Sequence, residues 1–207
     1  MFYDTDTNKH GLAHDPFKAL VSPRPIGWIG SVSVEGIPNL SPYSFFNAIS
    51  DTPKMVMFAS DGYKDSVTNI ENTRDFTASL VSLDLVEKMN VSSVSAPPQV
   101  NEFEYAGLTA KPGVLVKAPF VGEAYAAIEC KAVEVFRPKT LTGGEAEYIM
   151  VIGQVVGIHI DPYIVADGRI RMDRAAPVAR LGYRDYSHAA ETFEMIRPQW
   201  VKGAGAD

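Results

Sequence analysis

Ser60, Lys64, Asp65 and Ser66 have the types and spacing of an anion-binding junction. The run Met55 to Ser60 (MVMFAS) alternates like a strand, Asp61-Gly62-Tyr63 reads as a turn, and a helix is expected from about Ser66 to Thr73, with Asp65 as its N-cap and Val67 and Ile70 on one face. A strand ending in a hydroxyl, followed by a lysine and the free amides of a helix N-terminus, offers a phosphate a charge, directed donors and a favourable dipole. Two stretches upstream add to this. Ser22-Pro-Arg-Pro-Ile-Gly-Trp-Ile29 opens a strand with two prolines and a glycine, which fix its direction and let another group approach. Asn39 to Asn47 (NLSPYSFFN) alternates hydroxyls, amides and ring faces in what reads as a loop. Taken singly, each piece has a plainer reading, since Asp and Ser at a helix start are usually only caps and a single Lys there is usually a solvated charge.

The elements that must hold these residues are mostly strands. Ile26 to Val34, Met55 to Ser60, Asp75 to Ser82, Ala126 to Arg137 and Tyr148 to Ile160 are rich in β-branched and aromatic residues. Turn residues at Val34 to Pro38, Leu141 to Gly144 and Ala166 to Gly168 fall where hairpins or tight links are needed. A second short helix is expected from about Leu85 to Met89, where Asp84 and Glu87 have the spacing of a capping box. Two short helices cannot cross over between all these strands, so a mainly antiparallel β-barrel is expected rather than a doubly wound parallel sheet. Ser95 to Pro119 is Pro-rich and weakly periodic, and reads as an ordered excursion over the barrel. Beyond Pro198 the patterning is lost; residues 198–207 read as a frayed tail, with Trp200 docking on a neighbour.

A chain of 207 residues with 46% hydrophobic and 21% charged residues is expected to form one domain over 1–207. The net charge of −6 is spread without a basic run, which argues against nucleic acid as a partner. No stretch approaches the roughly 20 apolar residues of a membrane span and the start lacks a secretory pattern, so the expected location is the cytoplasm, away from membranes. Cys130, the one cysteine, reads as a core residue. His10 and His14 with Asp15 could form a metal face on a helix, but Gly11 and Pro16 oppose a helix there, and metal binding is not expected. His159 lies inside a strand pattern and reads as a structural histidine or a neighbour of a bound ligand rather than a general base. Gly27, Gly30 and Gly36 do not make a dinucleotide-binding turn, and no nucleophile elbow surrounds Ser44.

The phrases PRPIGWIGSV, NLSPYSFFNAISDTPKMVMFAS, KDSVTNIENTRDFTASLVS and VIGQVVGIHID, in this order, closely resemble the flavin reductase-like family. The resemblance covers roughly Pro16 to Tyr186. It implies an FMN-binding split barrel, antiparallel and Greek-key-like, working as a homodimer with each flavin near the interface. Ser41, Pro42, Tyr43, Ser44 and Phe45 would run along the isoalloxazine, where directed donors stabilise the charge that gathers on its carbonyl edge when a hydride arrives. Ser60, Lys64, Asp65 and Ser66 would form the phosphate grip, Asp65 more as cap than as contact. Arg24, Pro25 and Ile26 would flank the ring or ribityl chain, and Tyr183 would close over the site. NADH or NADPH would act as a transient donor, with no catalytic side chain needed. Three roles stay open: a reductase passing electrons to free flavin, a metal chelate or a partner protein, a non-enzymatic FMN electron carrier, and a barrel that has lost its flavin. The intact junction at Lys64 opposes the third.

Overall fold

The computed structural model describes residues 1–189 and 191–200. After a short helix α1 (Phe17–Leu20), the chain runs through β1 (Arg24–Pro25), β2 (Gly27–Val32), β3 (Pro38–Tyr43), β4 (Phe46–Asp51) and β5 (Lys54–Asp61), then α2 (Asp65–Thr73) and β6 (Asp75–Ser79). Next come α3 (Val86–Val91), α4 (Glu102–Tyr105), β7 (Ala110–Lys111), β8 (Phe120–Val121) and the two long strands β9 (Ala126–Phe136) and β10 (Tyr148–Ile160). The C-terminal part holds β11 (Val165–Ala166), β12 (Arg169–Ile170), α5 (Met172–Ala175), β13 (Val178–Arg180) and β14 (Tyr186–His188). Seven strands form one curled antiparallel sheet in the order β3-β2-β6-β9-β10-β5-β4, the half-barrel that the strand patterns imply.

Period-2 alternation sets the register. In β5, Val56, Phe58 and Ser60 point inward, while Met55, Met57 and Ala59 are half-exposed on the other face. Phe58, Phe76, Ile149 and Val151 centre one core, over which α2 lays Val67 and Ile70; Trp28, Leu40, Phe103 and Val178 belong to a second. Gly27 is where an added Cβ would stand 2.5 Å from the Phe46 ring. A glycine there lets β4 close on β2, the close approach expected of this strand opening.

Central β6 is buried on both faces. Phe76 and Ala78 face a core; Asp75, Thr77 and Ser79, with Glu129 of β9, hold the excursion down. Glu129 Oε1 accepts from the Val114 amide at 2.7 Å, and its Oε2 from Leu115 at 2.6 Å and Val116 at 3.1 Å. Asp75 accepts from the Lys117 amide at 2.8 Å, Thr77 donates to the Pro119 carbonyl at 2.6 Å, and Ser79 accepts from the Val121 amide at 3.1 Å. The expected ordered excursion thus exists, fastened through backbone groups that would otherwise be buried without partners.

Both expected helix caps need correction. Helix α2 starts at Asp65 with Lys64 at the N-cap, and no side chain caps it. The extended backbone at Lys64 feeds directly into the helix, so the Asp65 side chain is already on the first turn. Asp84 and Glu87 form no capping box, because a 3-10 turn at Leu83–Leu85 precedes α3. Asp84 instead accepts hydrogen bonds from the Ser82 and Tyr125 hydroxyls. The stretch expected as loop at Asn39–Asn47 is mostly strand, in β3 as far as Tyr43 and in β4 from Phe46, and the stretch expected as strand at Leu80–Ser82 is not one. The expected tail falls at 201–207 outside the described residues; Trp200 is exposed.

Burial alone would raise the Glu129 carboxyl, but the Val114 amide, the His159 ring at 2.5 Å and the Leu115 amide outweigh it and hold the group below its ordinary value. A carboxylate lowered in the folded state stabilises it above the unfolded value, about 4.3, and loses that contribution as pH falls through the folded value. Glu129→Gln must turn an NH2 toward one of the amides, and is expected to cost about 1–3 kcal/mol at pH 7. The gap from the parent should narrow as urea unfolding is repeated down through the carboxylate range; equal stability at pH 7 would show that the carboxylate fastening contributes nothing.

Candidate functional site

A continuous groove runs along β3 and β5 from the start of α2 to α1. Its polar end is a cleft of about 240 Å³ between β3, the start of α2 and the segment after α3, lined by Tyr43, Lys64, Ser66, Ser93 and Glu102 among others. Its middle, about 180 Å³, shares Ser41, Tyr43, Lys64 and Ser93 with the polar end and adds Ser44, Phe45 and Tyr148. Its far end, about 650 Å³, is walled by Phe45, Phe46, Arg24, Pro25, Met57 and Met150. The groove therefore grades from hydroxyls and a lysine to aromatic and aliphatic walls.

Electrostatics at the polar end rest on a buried network. Glu102 Oε2 accepts from Asn39 Nδ2 at 3.0 Å and from the Leu40 amide at 3.1 Å. Asn39 Oδ1 accepts from Ser66 Oγ at 2.8 Å and Ser31 Oγ at 3.1 Å, and Ser31 accepts from Asn69 Nδ2 at 3.2 Å. Burial raises the Glu102 carboxyl above its ordinary value against these donors. Tyr43 is 6% exposed, and its hydroxyl lies beside those of Ser66, Ser60 and Ser41 without a well-formed hydrogen bond among the described residues. Burial pushes that phenol up, so it stays a neutral donor. A buried donor without a partner is rare enough to need a reason.

The groove brings Ser41, Pro42, Tyr43, Ser44, Phe45 and Lys64 together, with Asp65 and Ser66 at its polar end and Pro25 at its apolar end. Other residues expected at the site are placed differently. Ser60 turns inward with Phe58 and donates to the Gly62 carbonyl at 2.9 Å. The Arg24 guanidinium lies at the groove wall, 5.8 Å from the Phe45 ring, but its terminal nitrogens donate to the carbonyls of Lys18, Val21 and Leu181, and only its buried Nε has no partner among the described residues. It fastens the end of α1 to the C-terminal part rather than offering a free charge. Ile26 belongs to the second core and lines a neighbouring apolar cleft, beyond Phe46. Tyr183 stands outside the groove lining, its ring 5.6 Å from His14. His159 is also away from it, stacked on Phe120 at 4.3 Å beside Glu129. Cys130 is fully buried, its thiol pushed up to about 12 by burial, as its core reading requires.

Sequence reading missed Lys18, Tyr148, Ser93 and Glu102. Lys18 Nζ lies 5.7 Å from the Phe45 ring, and Tyr148 packs on Phe45 at 5.3 Å from the start of β10. Neither is near the junction in sequence. For Tyr148 the available signal was the pairing of the first residue of a long strand with the end of β5, where Tyr148 meets Asp61.

The family model described as flavin reductase like domain matches residues 20–171. The chain belongs to the flavin reductase-like family. An Aquifex aeolicus protein is 34% identical over 176 residues, covering 82% of this chain and 86% of its own. Among solved structures, nitrilotriacetate monooxygenase component B from Bacillus cereus superposes with a TM-score of 0.85 at 26% identity, covering 94% of this chain and 98% of that one. Flavoredoxin of Desulfovibrio vulgaris gives 0.73 at 21% identity over 88% and 94%, a likeness of fold. In this flavin reductase-like chain the matched residues include the groove wall from Leu20 to Met150, while Phe17 and Lys18 line the groove from outside the match.

An unpartnered buried hydroxyl is costly when its site is empty. Tyr43→Phe is therefore expected to raise the unfolding free energy of the ligand-free protein by about 1 kcal/mol, read from denaturant melts. A loss of stability would mean that the hydroxyl already has a partner.

Proposed function

We propose that this protein binds FMN in the groove and acts as an oxidoreductase, taking a hydride from NADH or NADPH and passing electrons on to free flavin, a metal chelate or a partner protein. The observation that carries this reading is the order of the groove: a lysine, the amides of α2 and an orphaned phenol at one end, aromatic and aliphatic walls at the other. A molecule with a phosphate at one end and a flat ring at the other fits that order. Lys64 and the first amides of α2 would hold the phosphate, with the Tyr43 hydroxyl completing the donor set. Ser41 and Ser44 would flank the middle, and Phe45, Tyr148 and Pro25 would wall the ring.

Bound flavin supplies a two-electron acceptor that can return electrons singly or in pairs. The protein then has to position and to exclude water, since direct hydride transfer needs no side-chain base once donor and acceptor are held about 3–3.5 Å apart. This agrees with a groove whose apolar end is lined by no carboxylate and no histidine among the described residues, and where the Arg24 terminal nitrogens donate to three carbonyls.

The two cores share strands, with Trp28 and Ile29 adjacent on β2 but on opposite sides, which supports one domain over the whole chain. We also propose a homodimer in the cytoplasm. Phe17, Leu20 and Val21 are 58%, 76% and 49% exposed beside the open end of the groove, and a second copy covering them would narrow it.

The purified protein should be yellow or take up FMN stoichiometrically, and bleach on anaerobic addition of NADH or NADPH. Bleaching by dithionite but by neither nicotinamide would favour the electron-carrier role. Lys64→Ala should weaken FMN binding by about 1.5–3 kcal/mol while leaving riboflavin binding unchanged, as read by fluorescence titration; unchanged FMN affinity would remove Lys64 from the phosphate site. Light scattering should give twice the 22.6 kDa chain mass, and a strict monomer at micromolar concentration would exclude the dimer.

A further inference from the structure

Glu102 is not a member of the expected phosphate grip, yet it lines the same cleft as Lys64 and Ser66 at 4% exposure. Its links to that site run through one amide. With Glu102 ionised, Asn39 must present its NH2 to the carboxylate, which leaves Asn39 Oδ1 to accept the Ser66 hydroxyl hydrogen. Ser66 then has no hydrogen left for an anion, although it stands on the first turn of α2. A phosphate arriving beside a buried carboxylate also meets a like charge, and two such charges in one desolvated site do not both persist.

We propose that binding of a phosphate monoester at the polar end is coupled to uptake of one proton by Glu102, which reverses the Glu102–Asn39–Ser66 chain of hydrogen bonds and frees the Ser66 hydroxyl for the anion. In the protonated form the Glu102 O–H donates to Asn39 Oδ1, the two hydrogens of the turned amide go to Ser66 Oγ and to Ser31 Oγ, whose own hydrogen rotates away from the amide, and Ser66 donates to the phosphate. Leu40 keeps its hydrogen bond to the same carboxyl oxygen in both forms. The proton comes from solvent and no covalent bond changes. Glu102 is thus a positioning residue that acts through Asn39.

The surroundings favour this direction. Burial already raises the Glu102 carboxyl, and Asp65 across the cleft raises it further. Among the described residues Lys64 is the one cation lining the cleft, Tyr43 is a neutral phenol, and the wall formed by Ser92, Ser93, Val94, Ser95, Ala96 and Pro98 carries no ionisable side chain. On its own helix Glu102 is followed by Phe103, which is buried in the second core, then by Glu104 and Tyr105, which are exposed. The α2 and β2 members of the network, Ser66, Asn69 and Ser31, are uncharged.

The inference rests on the FMN reading, and the test separates the two. FMN and riboflavin are titrated calorimetrically into the parent and Glu102→Gln at pH 7.5, in buffers of different ionisation enthalpy. The phosphate's own proton uptake is common to both proteins. The parent should take up close to one proton more per FMN than Glu102→Gln, neither should take up a proton with riboflavin, and the FMN affinity of the parent should fall relative to the variant by up to about tenfold per pH unit on the alkaline side. Equal uptake by parent and variant overturns the coupling while leaving the phosphate site standing; FMN binding no tighter than riboflavin overturns the phosphate site itself. Ser66→Ala supplies an independent reading should Glu102→Gln not fold: its loss of FMN affinity should grow as pH falls from 8 to 6, and a loss that is the same at every pH overturns the proposal.

Discussion

A single buried amide ties the functional end of this molecule together. Asn39, on β3, meets Ser31 of β2, Ser66 of α2 and Glu102 of α4 within 3.1 Å. Each of those groups is buried, so each must find a partner or pay the full cost of desolvation. Satisfying them together fixes how α2 sits on the sheet. That in turn fixes where Lys64 and the first amides of the helix point. Polar residues at the ends of such a network select one arrangement more sharply than apolar packing does, because a shifted helix leaves donors unmatched.

The same constraint works on the other side of the sheet with different chemistry. Asp75, Thr77, Ser79 and Glu129 line the face of β6 and β9 away from the Phe76 core, and each takes a backbone group of residues 114–121. A polar face on a central strand would be a defect in an open sheet. Here it supplies backbone partners to a segment that pairs as a strand only at β8. Gly30 belongs to this arrangement, since a Cβ there would stand 2.1 Å from the Pro119 carbonyl. The sheet is thus clamped on both faces, and the groove opens along its β3 and β5 side.

Between these clamps the groove has a gradient of polarity that follows from the alternation of β3 and β5 and from the aromatic cluster of Phe45, Phe46 and Tyr148. Arg24 shows how context overrides type. A guanidinium beside an aromatic ring suggests a ligand contact, but burial and Arg180 lower its pKa, and three carbonyls take its terminal nitrogens, leaving only Nε without a partner among the described residues. Its place in the groove is to hold α1 against the C-terminal part, which shapes the apolar wall.

Sequence alone determined the features that depend on near neighbours. The strand runs, the antiparallel barrel, the helix after Lys64 and the junction of lysine with helix amides are written in period-2 alternation, turn residues and short spacings, which local backbone sterics enforce. The inward turn of Ser60, expected instead in the phosphate grip, was not read from the sequence, although it shares the alternation of Val56 and Phe58. What only the tertiary structure decided were the partners brought from far along the chain: Tyr148 and Lys18 against Phe45, Glu102 beneath Asn39, and Arg24 spent on Leu181. These depend on which strands pair and on how the excursion folds back. The cap expected from Asp65 failed for a related reason: its side-chain type suits a cap, but the direction in which β5 delivers the chain moved the helix start by one residue.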